Sequence, residues 1–238
     1  MKDRKLLRST FDEAAELYGR ARPGYPAALF DDLAELISIG PGSRVLEVGP
    51  GTGQATLPLA ERGCRVVAVE LGADLAAVAR RELAGFSNVE IVTAAFEDWP
   101  LPAEPFDLVL AATAFHWIDP AVRVDKVADA LRPGGSLATI TTHHVAGGDE
   151  SFFAEAQTCY VRWDPNTPTA LTLRSATDIP SCHYGSTDPI GSGRRFSAGT
   201  SGTGRTRPPA TSSSCSPTRV TAPSNPRPRA TCWAASPS

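Results

Sequence analysis

Two carboxylates and three glycines stand at spacings that suit a nucleotide. Glu47 lies two residues before Gly49, and Gly49, Gly51 and Gly53 alternate through Val45-Leu46-Glu47-Val48-Gly49-Pro50-Gly51-Thr52-Gly53-Gln54. Glycines allow a turn that a side chain would obstruct and let the backbone approach a ligand closely, while the N–H groups of a following helix would face it. Glu70 ends a second apolar run, Arg65 to Glu70. An acid there can accept hydrogen bonds from both ribose hydroxyls, which suits NAD and S-adenosylmethionine equally. Glu47 separates the two. A dinucleotide would bring its pyrophosphate near that carboxylate, whereas S-adenosylmethionine has no phosphate and carries an ammonium group. The pattern favours S-adenosylmethionine, with an NAD-dependent oxidoreductase as the alternative.

The elements that must position these residues alternate between strand and helix. Arg44–Val48, Arg65–Glu70, Asn88–Thr93, Phe106–Ala112 and Ser136–Thr142 read as strands. Between them, Gln54–Arg62 reads as a helix ended by Gly63, Asp74 to about Leu83 as a second, and Pro120 to about Leu131 as a third, followed by a Gly134-Gly135 turn. Such alternation predicts an α/β, Rossmann-like doubly wound parallel sheet of about five strands. Two helices, Phe11–Tyr18 and Ala27–Ile37, precede it around the turn-rich Gly19–Pro26, and Ser151–Trp163 reads as another helix after it. The resulting division is 1–40 as helices over the cleft, 41–145 as the nucleotide domain, 146–180 as a helical lid and 181–238 as a tail.

Five segments in this order carry a resemblance: VLEVGPGTGQ, VVAVE, AAFEDWPL, FDLVLAATAFHWID and LRPGGSLATI. From about Phe11 to Thr142 the chain resembles the class I S-adenosylmethionine-dependent methyltransferases of the small-molecule type. The resemblance implies that Glu47 holds the amino group of the methionine part, that Gly49, Gly51 and Gly53 give the close approach, and that Glu70 holds the ribose. Leu71 and Phe96 would pack on the adenine, and Ala112 would border the cofactor at a strand end. Many relatives carry an acid for the adenine amino group where Ala95 stands here, which leaves the Phe96 backbone, Glu97 or Asp98 as substitutes. The N-terminal segment tends to fold over the cleft in this family, making Tyr18, Arg22 and Tyr25 candidate substrate or cofactor contacts. The segment that holds His116 and Trp117 would border both cofactor and acceptor. A carboxylate acceptor needs no base and could be held by Arg22; for a hydroxyl or amine, His116 is the best base on offer, unless its role is to orient Trp117.

Composition narrows the remaining classes. The net charge of −3, 42% hydrophobic residues and a charged, non-apolar N-terminus predict a cytoplasmic protein with no membrane span and no nucleic-acid partner. The five cysteines form no CxxC pair, and His143-His144 has no acid or cysteine at ligand spacing, so no metal is expected. The partner indicated is a small-molecule acceptor.

The tail breaks with all this. From Ser181 onward, 41 of 58 residues are Ser, Thr, Pro, Gly or Arg, and Leu, Lys and Glu are absent. Such a segment has little to bury and predicts disorder in place of further strands, which would leave a sheet edge exposed. We read it as the product of a frame change near Ile179–His183, ahead of a natural low-complexity tail or a nucleic-acid arm. On that reading the chain could be a cofactor-binding remnant without turnover. Sequencing the coding DNA across this junction is expected to show the shift; an uninterrupted frame in independent reads overturns it.

Overall fold

The computed structural model describes residues 14–143, 145–146, 150–163, 175, 178 and 229–235, the last as backbone. β1 (Arg44–Val48) is central, and its apolar residues are buried on both faces. Val45 points into one hydrophobic layer, with Leu29, Phe30, Leu33, Leu59, Val66 and Leu108. Leu46 and Val48 point into the other, with Val69, Phe106, Val109, Phe115, Val127 and Leu137. A strand covered on both sides must be apolar almost throughout, which explains its continuous hydrophobic run.

Parallel neighbours flank β1 on each side. They are β2 (Arg65–Glu70), reached through α3 (Thr56–Glu61), and β4 (Phe106–Ala112). β3 (Val89–Thr93) pairs with β2 after α4 (Ala73–Glu82), and β5 (Leu131–Thr142) pairs with β4 after α5 (Arg123–Ala130). The strand order β3-β2-β1-β4-β5-β6, with β6 formed by Arg229–Ala235, reverses direction between β1 and β4. The carboxyl ends of those two strands therefore splay around a crevice, the place where open α/β sheets bind ligands. Before the sheet come α1 (Ala15–Ala21) and α2 (Ala27–Ile37), and α6 (Glu150–Trp163) follows it. No helix among the described residues is long and apolar enough to cross a membrane.

Several boundaries differ from the sequence reading. α1 continues through Gly19 to Ala21, where turn residues had predicted a break. A Cβ at Gly19 would stand 3.3 Å from the Thr52 hydroxyl, so the missing side chain allows the helix to lie against the glycine loop, and that packing outweighs glycine's poor helix propensity. The helix after the glycines begins only at Thr56, because Gly53 N–H closes a turn onto Pro50 O first. β5 starts at Leu131 instead of Ser136. Its first residues follow an irregular register against Phe106, around Gly134 at φ 79° and Gly135, where a Cβ would fall 3.0 Å from Arg132 O and 3.1 Å from Phe106 O.

The tail also departs from expectation at one point. β6 (Arg229–Ala235) pairs in parallel with β5, from Ser136↔Arg229 to Thr142↔Ala235, so the sheet has six strands among the described residues. Arg229–Ala235 contains no proline and centres on Thr231, Cys232 and Trp233, all compatible with a strand. It satisfies the open row of β5 backbone groups that a five-stranded sheet would leave exposed. Residues 1–13, His144, the junction at 179–183 and the rest of the tail lie outside the described residues, and with them the expected start of the first helix at Phe11.

Leu46 is fully buried between β2, β4 and α5. Leu46→Ala is expected to cost about 2–5 kcal/mol, read as a lower urea midpoint at unchanged slope; a loss under about 1 kcal/mol would contradict this packing.

Candidate cofactor-binding site

The crevice between the ends of β1 and β4 opens into a cavity of about 320 Å³. Alternation along β1 sends Glu47 to the same face as Val45, toward α2 and α3, where it is completely buried. Its Oε2 accepts a 2.7 Å hydrogen bond from the Thr56 hydroxyl, at the first residue of α3. Its Oε1 is buried with no hydrogen-bond partner among the described residues and belongs to a side chain that lines the cavity. A carboxylate in that position is costly, and burial pushes its pKa up to about 7; the Thr56 bond opposes this and the charge of Glu70 adds to it. The site thus holds an acid that lacks one partner, a donor or a cation.

The glycine loop follows directly. Gly49 has φ 71°, and a Cβ on it would fall 2.7 Å from the Ala114 Cβ, so only glycine lets the β1 end and the β4 end come together here. Gly51 has φ 60°, and its N–H donates to Glu70 Oε2 at 2.9 Å, while Gly72 N–H donates to Glu70 Oε1 at 2.9 Å. Glu70 therefore ties the glycine loop to the start of α4. Each of its oxygens has a second lone pair, so hydroxyls of a ligand can share it.

The N-terminal helices form the opposite wall. α1 is fixed to α4 by Ala15, Leu75, Val78 and Tyr18, with Glu16 and Arg81 paired at 2.6 Å outside. The chain then turns so that Arg22 Nη2 donates to Thr113 Oγ1 at 2.9 Å, and the Tyr25 hydroxyl lies 3.3 Å from the same oxygen. Thr113 has φ 54°, a strained value for a β-branched residue, and its N–H bonds Ile140 O at 2.7 Å. After it, the single 3-10 turn Phe115–Trp117 carries His116 and Trp117, whose rings are 4.8 Å apart. His116 is exposed at the cavity rim and Trp117 is half-buried.

Of the residues singled out from the sequence, Glu47, Gly49, Gly51, Glu70, Leu71, Phe96, Ala112, Tyr18, Arg22, Tyr25, His116 and Trp117 all line this one cavity. Leu71 is 38% exposed, which places it at the rim and not in the core. Two do not reach the cavity. Gly53 is φ 98° and faces Leu83, whose Cδ1 would lie 2.9 Å from a Cβ there, so its smallness serves the packing of the loop on the end of α4. Glu97 turns outward and accepts the Asp119 N–H at 3.1 Å. Asp98 does not line the cavity either, which leaves Ala94 and Phe96 on that side. Sequence reasoning missed Thr113, Gln54, Thr141 and Thr142, which also line it. Gln54 Nε2 donates to Thr52 Oγ1 at 2.7 Å, beside the loop, and its place directly after the third glycine was the available signal.

The buried carboxyl sets a pH signature. In the ligand-free fold Glu47 keeps its proton up to about pH 7, whereas the unfolded chain releases it near the ordinary value of 4.5. The folded state therefore binds more protons in that window, and stability falls as pH rises from about 4.5 to about 7, by on the order of 3 kcal/mol. Glu47→Gln is expected to remove this fall, so that urea midpoints of the two proteins converge or cross as pH rises. Parallel profiles from pH 5 to pH 8 would contradict it.

The segment that carries these residues matches known proteins. Residues 45–135 match the model of a family described as "Methyltransferase domain". An uncharacterized methyltransferase of Geobacillus kaustophilus is 32% identical over 155 residues, covering 61% of this chain and 70% of the relative. One from Mycobacterium tuberculosis (strain ATCC 25618 / H37Rv) is 39% identical over 137 residues, covering 58% of this chain and 54% of the relative. The chain spans about half the length of the first curated relatives it matches. A solved SAM-dependent methyltransferase from Aquifex aeolicus superposes with a TM-score of 0.46 at 20% identity, over 63% of this chain and 78% of that one. By its likeness to the Geobacillus kaustophilus relative, of which it covers 70% at 32% identity, the chain belongs to the methyltransferase family.

Proposed function

We propose that the chain transfers a methyl group from S-adenosylmethionine to a small-molecule acceptor. The observation that supports this most is the orphaned Oε1 of Glu47, buried beside the glycine loop. The ammonium of an amino-acid ligand supplies both the missing donor and the opposite charge, whereas a pyrophosphate supplies neither. Glu70 would take the ribose hydroxyls while keeping the Gly51 and Gly72 N–H bonds. Leu71 and Phe96 supply apolar surface for a purine, and Phe96, 2% exposed, is held rigidly.

When bound, the sulfonium supplies its own activation, so that transfer is an in-line displacement needing neither a protein nucleophile nor a metal. The chain's work is then alignment and exclusion of water. Tyr18, Tyr25 and Trp117 line the cavity and would hold the acceptor against the donor. His116, which lines the cavity, would accept the proton of a hydroxyl or amine acceptor.

Calorimetric titration of S-adenosylhomocysteine and of NAD separates the donors. The first should bind and the second should not, and Glu47→Gln should weaken S-adenosylhomocysteine by about 10- to 100-fold at pH 8, the scale of a charge-assisted hydrogen bond. Binding of NAD alone, or equal binding by Glu47→Gln, would overturn the reading.

A further inference from the structure

We propose that Lys126 is a positioning residue for the donor's base: from α5 it fixes the turn after β3 that carries Phe96. This rests on the S-adenosylmethionine reading above. The turn, residues 94–99, lies outside any helix or strand, so individual bonds set its shape. Its first residue is tied to the sheet, where Ala94 N–H donates to Glu70 O at 2.9 Å. Its middle folds on itself, with the Asp98 and Trp99 N–H groups both donating to Ala95 O, at 3.1 Å and 2.9 Å. Its far end is held by a side chain: Lys126 Nζ donates to Glu97 O at 2.8 Å and to Trp99 O at 2.6 Å.

A lysine ordinarily keeps its ammonium in water and covers apolar surface with its stem. Here the half-buried side chain delivers the charge to two backbone carbonyls on either side of Asp98, and the ammonium also lies 5.5 Å from the centre of the Phe96 ring, within cation–π range. Phe96 is 2% exposed and lines the cavity, so a shift of the turn moves the apolar wall itself. Three residues earlier on the same helix face, Arg123 reaches a different segment. Its Nη1 donates to Phe115 O at 3.4 Å, and its guanidinium lies 4.9 Å from the Phe115 ring, in the turn that carries His116 and Trp117. α5 thus holds two parts of the cavity wall through two cations, and Lys126 serves the part that faces the base.

Two ligands separate the base from the rest of the donor on the full chain. S-ribosylhomocysteine keeps the ribose and the amino acid of S-adenosylhomocysteine and lacks the adenine. In competition binding, wild type should prefer S-adenosylhomocysteine by about 10- to 100-fold, the scale of one base packed on its wall. Lys126→Met keeps the stem and removes the donors and the charge. It should cut that preference at least about threefold by weakening S-adenosylhomocysteine, while S-ribosylhomocysteine stays within about twofold. Lys126→Arg, which retains charge and donors, should keep part of the preference. Arg123→Met, on the same helix face but bonded to the other segment, should leave it as in wild type. An unchanged preference in Lys126→Met, whether both ligands weaken together or neither does, would mean that Lys126 only fastens α5. A preference cut equally by Arg123→Met would trace the effect to the helix as a whole, and no preference in wild type would remove the base wall. Each of these results overturns the proposal. Failure of wild type to bind either ligand would instead reject the donor itself, so the two readings fail separately.

Discussion

The structure depends on a buried acid left half-satisfied. Glu47 sits on the central strand, at the point where the sheet reverses its order, and among the described residues only Thr56 hydrogen-bonds it. A hydrophobic residue would pack there at lower cost, since burial disfavours the charged form strongly enough to lift its pKa to about 7. The fold tolerates this cost at one place, between two hydrophobic layers that hold β1 on both faces. On the reading proposed above, what the acid lacks in the free protein is what the ligand would supply.

The other features follow from bringing a ligand to that acid. Gly49 lets β1 and β4 close to a distance that any Cβ would prevent, and the φ of Thr113 turns the chain sharply where β4 ends. Glu70 links the loop to α4, α4 holds α1, and α1 lies on the loop again through Gly19 and Thr52. The wall of the cavity is thus a closed circuit of short contacts. Arg22 and Tyr25 complete it by meeting Thr113 from the N-terminal side.

Much of this was legible in the sequence because it is local. The run from Val45 to Gln54 contains its own strand, turn and acid, and Glu70 ends the next strand at a spacing set by one helix. The order of strands and helices also followed from apolar runs, since a parallel sheet buried on both faces leaves few polar interruptions. The contact between Arg22 and Thr113 was not legible, because it joins positions 91 apart and depends on an unusual φ at a residue that ordinarily avoids it. Gly53 and Glu97 misled for a related reason. Each stands in a motif position but is claimed by a neighbour, Leu83 in one case and Asp119 in the other. β6 was hidden by the composition of the surrounding tail, within which seven residues free of proline suffice to continue a sheet.

The central claim is that binding ionises Glu47. Calorimetry of S-adenosylhomocysteine at pH 6, repeated in buffers of different ionisation enthalpy, counts the protons exchanged on binding. Because Glu47 holds its proton below about pH 7 in the free protein and faces an ammonium in the complex, wild type should release close to one proton. Glu47→Gln should release none. An enthalpy that does not vary with buffer in the wild type would contradict the account.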